Sequence, residues 1–222
     1  MASSNAAELA PYEPAWPQQA AQQIAAIRAA LTGCPGADEA AIEHIGSTSV
    51  PGLAAKPFID LQIRILPLPA EEDIAARLAP LGFVRALGSR PDSPGVYRDL
   101  PRGDDVVPAE VWEKRLFVRL PGPDPETGPE PDSHNEPTPT PTILHIRRSD
   151  SPWGHYTGWF RDWLVAHPAQ RRRYESLKQE LAQANHGKAD YDDYTRAKTA
   201  FFDEVQATFT AWGAEHTSPQ TQ

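Results

Sequence analysis

Cysteine is almost missing: Cys34 stands alone among 222 residues, which excludes an intramolecular disulfide and fits a reducing compartment. It sits in the turn-like run Thr32-Gly33-Cys34-Pro35-Gly36 with no Cys or His nearby, so no metal-ligand cluster is read there. Basic residues are scarce too: 21 Lys and Arg against 30 Asp and Glu leave a formal net charge of −9. That balance argues against nonspecific binding to nucleic acid or a membrane surface, and leaves room only for a local basic pocket. No apolar run approaches the ~20 residues of a membrane span. The opening MASSNAAELAPYEP lacks the basic-then-apolar order of a signal peptide. A soluble, cytoplasmic protein is expected.

What is present suffices for a core, since 40% of residues are hydrophobic. Apolar spacing predicts a helix over 17–31, opened by Pro17, and another over 71–81. A short strand is expected at 41–45. The clearest strand is 58–65, where Ile59, Leu61, Ile63 and Ile65 alternate with Asp60, Gln62 and Arg64. Shorter strands are expected at 83–87, 96–99, 115–120 and 142–147. The prolines of 121–141 can sustain neither a helix nor an inner strand, so a long mobile loop is expected there. From Trp153 the pattern becomes helical, in three segments marked by Tyr156 and Trp163, by Tyr174 and Leu181, and by Tyr194 and Trp212. The predicted architecture is α+β: a mixed sheet flanked by helices over 12–150, then packed helices over 151–213, with 1–11 and 214–222 disordered.

The chemistry concentrates between the first two strands. Gly46-Ser47-Thr48-Ser49-Val50-Pro51-Gly52 is a hydroxyl-rich loop whose backbone amides can approach an anion, although it has neither a Walker nor a Rossmann pattern. Lys56 stands just before the second strand as a point charge for a phosphate, and Asp60 projects from that strand's polar face. Asp60 either meets solvent or helps to hold a hard cation such as Mg²⁺.

The run Ile42-Glu43-His44-Ile45-Gly46-Ser47-Thr48-Ser49 through Lys56-Pro57-Phe58-Ile59-Asp60-Leu61 resembles the signature of the GrpB-like family, part of the nucleotidyltransferase-fold superfamily. Tyr12-Glu13-Pro14-Ala15-Trp16, Leu144-His145-Ile146, Phe160-Arg161-Asp162-Trp163 and the 191–198 segment extend the resemblance over about 12–212. It implies a Mg²⁺-dependent enzyme that uses ATP or another nucleoside triphosphate, transferring a nucleotidyl group to a small-molecule acceptor or activating that acceptor for ligation. It also implies an alternative, a catalytically weak nucleotide-binding module, because actinobacterial relatives are joined to dephospho-coenzyme A kinase. Transferring members carry two carboxylates two residues apart and a third on a neighbouring strand. Here Gln62 stands in the second position and His145 falls where the third is expected. A neutral amide is the poorer Mg²⁺ ligand and no base.

The candidate set follows. Asp60, His145 and Lys56 are expected in catalysis; Gly46, Ser47, Thr48, Ser49, Arg161, Lys178 and Lys198 at the phosphates; Asp60 at the metal, with Gln62 and His145 as weaker ligands. Each has a plainer alternative. His145 can be a hydrogen-bonded core histidine, and Arg161 an ion-pair partner of Asp162. Lys198, on the otherwise inward line Tyr194–Lys198–Phe201–Val205, either meets an anion or snorkels to water. Arg171-Arg172-Arg173 reads as a solvated face, and the tryptophans near 153–163 as core. A protein partner remains open, and nucleic acid is disfavoured by the charge.

Overall fold

The structure, a computed structural model, describes residues 8–87, 93, 95–102, 105–120, 140–188 and 192–217. Most of the expected mobile loop (121–139) and the outermost ends lie outside the described residues. The chain runs α1 (Trp16–Ala30), β1 (Ala41–Ile45), β2 (Ile59–Ile65), α2 (Glu71–Leu78), β3 (Val84–Arg85) and β4 (Lys114–Arg119). It continues through β5 (Thr142–Arg148), α3 (Pro152–Ala166), α4 (Pro168–Ala184) and α5 (Asp192–His216). Proline opens the first turn of α1, α3 and α4, where a missing N–H costs nothing.

The strands form one mixed sheet in the order β1-β2-β5-β4-β3, parallel only between β2 and β5. The alternation of β2 splits this sheet into two unlike faces. Ile59, Leu61, Ile63 and Ile65 join Leu144, Ile146 and Phe117 under α1 and α2, which contribute Trp16, Ala20, Ile27, Leu31, Ile74 and Leu78. The other face carries Glu43, Asp60, Gln62, Arg64, His145, Arg147 and Lys114, related by the strand register. Above it stands the helical third with its own core of Tyr156, Trp163, Leu164, Tyr174, Phe201, Val205 and Phe209, which also takes in Val50 and Leu53. The expected aromatic core of the last third is therefore present. Contact across the seam is close at Gly154 of α3, where a Cβ would lie 2.6 Å from Arg64 Cδ.

Several boundaries differ from expectation. The strand at 83–87 contracts to two residues, because Val84 and Leu87 stand exposed at the sheet edge and extension there buries nothing. Residues 96–99 make a single bridge, Arg98 to Glu113, rather than a strand. Asp99 there turns inward, binding Arg147 and Lys114. At the ends, Ala10 exchanges both backbone hydrogen bonds with Ala55, and α5 continues to His216, so order reaches further than 12–213.

Candidate functional site

Strand β1 ends at Ile45, whose antiparallel partner is Asp60, so the chain turns directly above that carboxylate. Gly46 makes the turn at φ 71°, ψ −171°, a region that only glycine occupies without strain. A Cβ on Gly46 would strike the Asp60 carboxylate. The turn is held by its own hydroxyls. Ser49 Oγ donates to the Gly46 carbonyl at 2.6 Å. Thr48 Oγ1 donates to the Phe58 carbonyl at 3.0 Å and receives His44 Nε2–H at 3.0 Å. Burial, then the Arg161 charge, lowers the His44 pKa to about 4, which keeps the ring neutral near pH 7. Thr48 and Ser49, expected at phosphates, spend these hydroxyl protons on the loop itself. Gly46 and Ser47 are the part of the turn at Asp60, with Ser47 against the Tyr174 hydroxyl.

Two lysines, Lys56 and Lys198, act on this carboxylate, and a third, Lys178 of α4, lies within the field of Lys198. The Tyr194 ring centroid lies 6.0 Å from Lys56 Nζ and 5.4 Å from Lys198 Nζ. Burial raises the Asp60 pKa to about 6 although Lys198, Lys56 and Arg147 all pull it down. Burial and then Lys198 depress Lys56 to about 7, against the opposing pull of Asp60 and Asp192. Lys178, 1% exposed, is lowered to about 7 by burial and then by Lys198. The sequence places Lys198 correctly on an inward line, between buried Tyr194 and Phe201. Lys178 has a further duty. Its Nζ donates to the Ala54 carbonyl, while Glu175 accepts the Ala54 N–H at 2.9 Å. Arg171, one turn earlier on α4, donates to the Pro51 carbonyl at 2.9 Å. Far from being a fully solvated face, this part of α4 grips the loop that leads to Asp60.

Gln62 and His145 are occupied otherwise than as metal ligands. Gln62 is wholly buried; its Nε2 donates to Glu43 Oε2 and the Gly154 carbonyl, both at 2.9 Å. Its Oε1 accepts from Thr157 at 2.8 Å and Arg147 at 3.3 Å, which fills both lone pairs. Gln62 thus ties the sheet to α3. Gln62→Ala should deprive the Gly154 carbonyl and Arg147 of buried partners, while Glu43 keeps Arg64, and lower stability by about 2 kcal/mol, read from the urea midpoint at constant slope. His145 Nδ1 faces Lys114 Nζ at 3.2 Å and Arg147 Nη2 at 3.4 Å, so no cation can share that nitrogen. Arg161 takes the plainer of its two roles. It pairs with Asp162 at 2.6 Å and donates to the His44 carbonyl at 2.8 Å, supporting β1.

A buried charge network missed by sequence reasoning lies beside the site. Asp99 binds Arg147 Nε at 2.6 Å and Lys114 Nζ at 3.2 Å, with the three residues 4%, 3% and 3% exposed. Arg147 was within reach of the period-two rule that singled out His145, since the two share a face of β5. Among the described residues no three His, Cys, Asp or Glu side chains gather as metal ligands. Asp60, the lone carboxylate beneath the turn, is surrounded by cations. These side chains do not fit a protein-held two-metal centre.

Residues 6–208 match the family described as GrpB protein. The chain belongs to the GrpB family. A UPF0157 protein of Pseudomonas aeruginosa is 35% identical over 202 residues, covering 90% of this chain and 64% of that one. A protein of Mycolicibacterium paratuberculosis named dephospho-CoA kinase is 28% identical over 92% of this chain and 46% of its own length. This GrpB chain therefore spans about half the length of that kinase. The crystal structure of the conserved protein GrpB from Enterococcus faecalis superposes with a TM-score of 0.60 at 23% identity, over 91% of this chain and 99% of the other. The fold is thus that of a GrpB protein: a five-stranded mixed sheet with a helical C-terminal third. No helix among the described residues is long and apolar enough to cross a membrane.

Proposed function

We propose that this GrpB protein binds a nucleoside triphosphate, ATP or a relative, through its phosphates at the seam between sheet and helices. One observation carries the reading. Lys198 acts on both Lys56 and Lys178 and lowers the pKa of each even though Asp60 and Asp192 pull on Lys56 and Glu175 on Lys178, so a further anion at this point would favour the charged form of these lysines. Gly46 and Ser47 border the same point. An anion seated there returns Lys56 and Lys178 to full charge, so binding takes up protons. Both lysines lose charge as pH rises through about 7, while Asp60 gains its repulsive charge through about 6. Both changes have the same sign. Affinity for ATP should therefore fall steadily between about pH 6 and about pH 8.5. Titration calorimetry in buffers of differing ionisation enthalpy reads both the affinity and the proton uptake. Lys198→Ala should weaken ATP binding about tenfold at neutral pH. Unchanged affinity in that variant would sink the assignment.

Two uses of such a bound nucleotide have support. Nucleotidyl transfer to a small-molecule acceptor is what the family resemblance implies, and Asp60, with its pKa raised to about 6, is a carboxylate able to take up a proton near neutrality. Mg²⁺ would then arrive with the triphosphate rather than at a prebuilt protein site. An accessory role beside a nucleotide enzyme is supported by the likeness to part of a dephospho-CoA kinase and by the structural engagement of Gln62. Incubation with ATP, Mg²⁺ and a metabolite pool separates them. Pyrophosphate release lost in Asp60→Ala marks transfer, and saturable binding without turnover marks the accessory role.

A further inference from the structure

His145 lies on β5 in register with Gln62 of β2 and Leu116 of β4, on the sheet face that carries Asp60. Strand spacing puts its Cα about 8 Å from that of Asp60, one strand across and two residues along. Both groups that approach its Nδ1, the Lys114 ammonium and the Arg147 guanidinium, have only protons to give. Nδ1 must therefore accept. The one proton of the neutral ring is forced onto Nε2. Burial, then Lys114 and Arg147, hold the ring's pKa well below the ordinary histidine value, so a second proton is not taken up at neutral pH. Asp99 anchors both cations, which fixes the ring's orientation as well as its tautomer. Among the described residues, Nε2–H meets no acceptor, and His145 keeps exposed surface where Lys114 and Arg147 are buried.

A donor locked in one tautomer and left unspent is suited to reading an acceptor atom. We propose that His145 offers Nε2–H to a carbonyl oxygen or an unprotonated ring nitrogen on the non-phosphate part of the bound nucleotide, acting as a specificity residue. This role rests on the phosphate site described above. It also departs from the sequence-based expectation of a general base or metal ligand, since a ring so fixed gives a hydrogen bond and takes none at Nε2.

The test uses the full chain, ATP, and inorganic tripolyphosphate, which has the phosphates but no base or sugar. Long-range proton–nitrogen NMR of histidine-labelled protein should show the Nε2–H tautomer of His145 across neutral pH, with that resonance moving when ATP binds. His145→Ala should lose roughly tenfold in ATP affinity with tripolyphosphate affinity unchanged, and His145→Gln, whose amide can donate, should recover part of the loss. A protonated Nδ1, or equal losses for ATP and tripolyphosphate, overturns the specificity role. So does normal ATP affinity in His145→Ala. Wild-type protein that binds neither ligand overturns the phosphate site and this role together, whereas binding of both without discrimination at position 145 overturns the role alone.

Discussion

Asp99→Ala is expected to cost about 3–5 kcal/mol of stability, a large share of the roughly 5–15 kcal/mol that native proteins commonly have. The carboxylate serves two buried cations at once, with Arg147 at 2.6 and 3.2 Å and Lys114 at 3.2 Å. Burial alone would raise its pKa; the Arg147 and Lys114 charges overcome that and hold it below the ordinary value. Removing it leaves two positive charges without a counter-ion in a region from which water is excluded, and such charges cannot be re-solvated without opening the seam. Urea unfolding followed by tryptophan fluorescence reads the loss. Adding Lys114→Met to the variant should restore part of it, because one of the stranded charges then disappears. The sign with pH follows from the depressed carboxyl: its contribution is present above the ordinary carboxylate range and is withdrawn as acid protonates the folded group. An Asp99→Ala midpoint within error of wild type would mean that the network contributes nothing net.

The second large effect belongs to Gly46→Ala. Two penalties add there, a backbone conformation closed to residues with a Cβ, about 1–3 kcal/mol, and a collision with Asp60, about 1–3 kcal/mol more. In an Asp60→Gly background, which removes the carboxylate and also the Asp60 Cβ that lies 2.8 Å from the new methyl, only the first penalty remains, so the cost of Gly46→Ala should fall by roughly half. Equal costs in the two backgrounds would show that turn and carboxylate do not meet. This cycle therefore examines the contact on which the site depends without requiring a ligand.

Much of this was legible in the chain. The strict alternation of β2 announced both its faces, and the inward line of α5 announced Lys198, because period-two and helical spacings are local properties. The convergence of Gly46 with Asp60 was readable from a short strand-turn-strand separation. What escaped were partners distant in sequence. Asp99 and Arg147 are 48 positions apart, and nothing near Asp99 distinguishes an inward carboxylate from a solvated one. Gln62 looked like a catalytic carboxylate gone missing. Two of its four hydrogen-bond partners, Gly154 and Thr157, arrive only once α3 has docked on the sheet that supplies Glu43 and Arg147, and they make it a joint instead. Lys178 shows the same limit: its place next to Leu177 put it within reach of the cleft, but nothing local showed that the Ala54 carbonyl waits there.

The grip of α4 on residues 51–54 has a consequence for motion. The loop leading to Asp60 cannot drift while Arg171, Glu175 and Lys178 hold its peptide groups, so local breathing of the last third and loosening of the loop are one event. A nucleotide bridging Lys56 and Lys198 would rivet together parts of the chain that are far apart in sequence. Amide exchange should then slow along α4 when the ligand binds, at its Arg171 end as well as around Lys178.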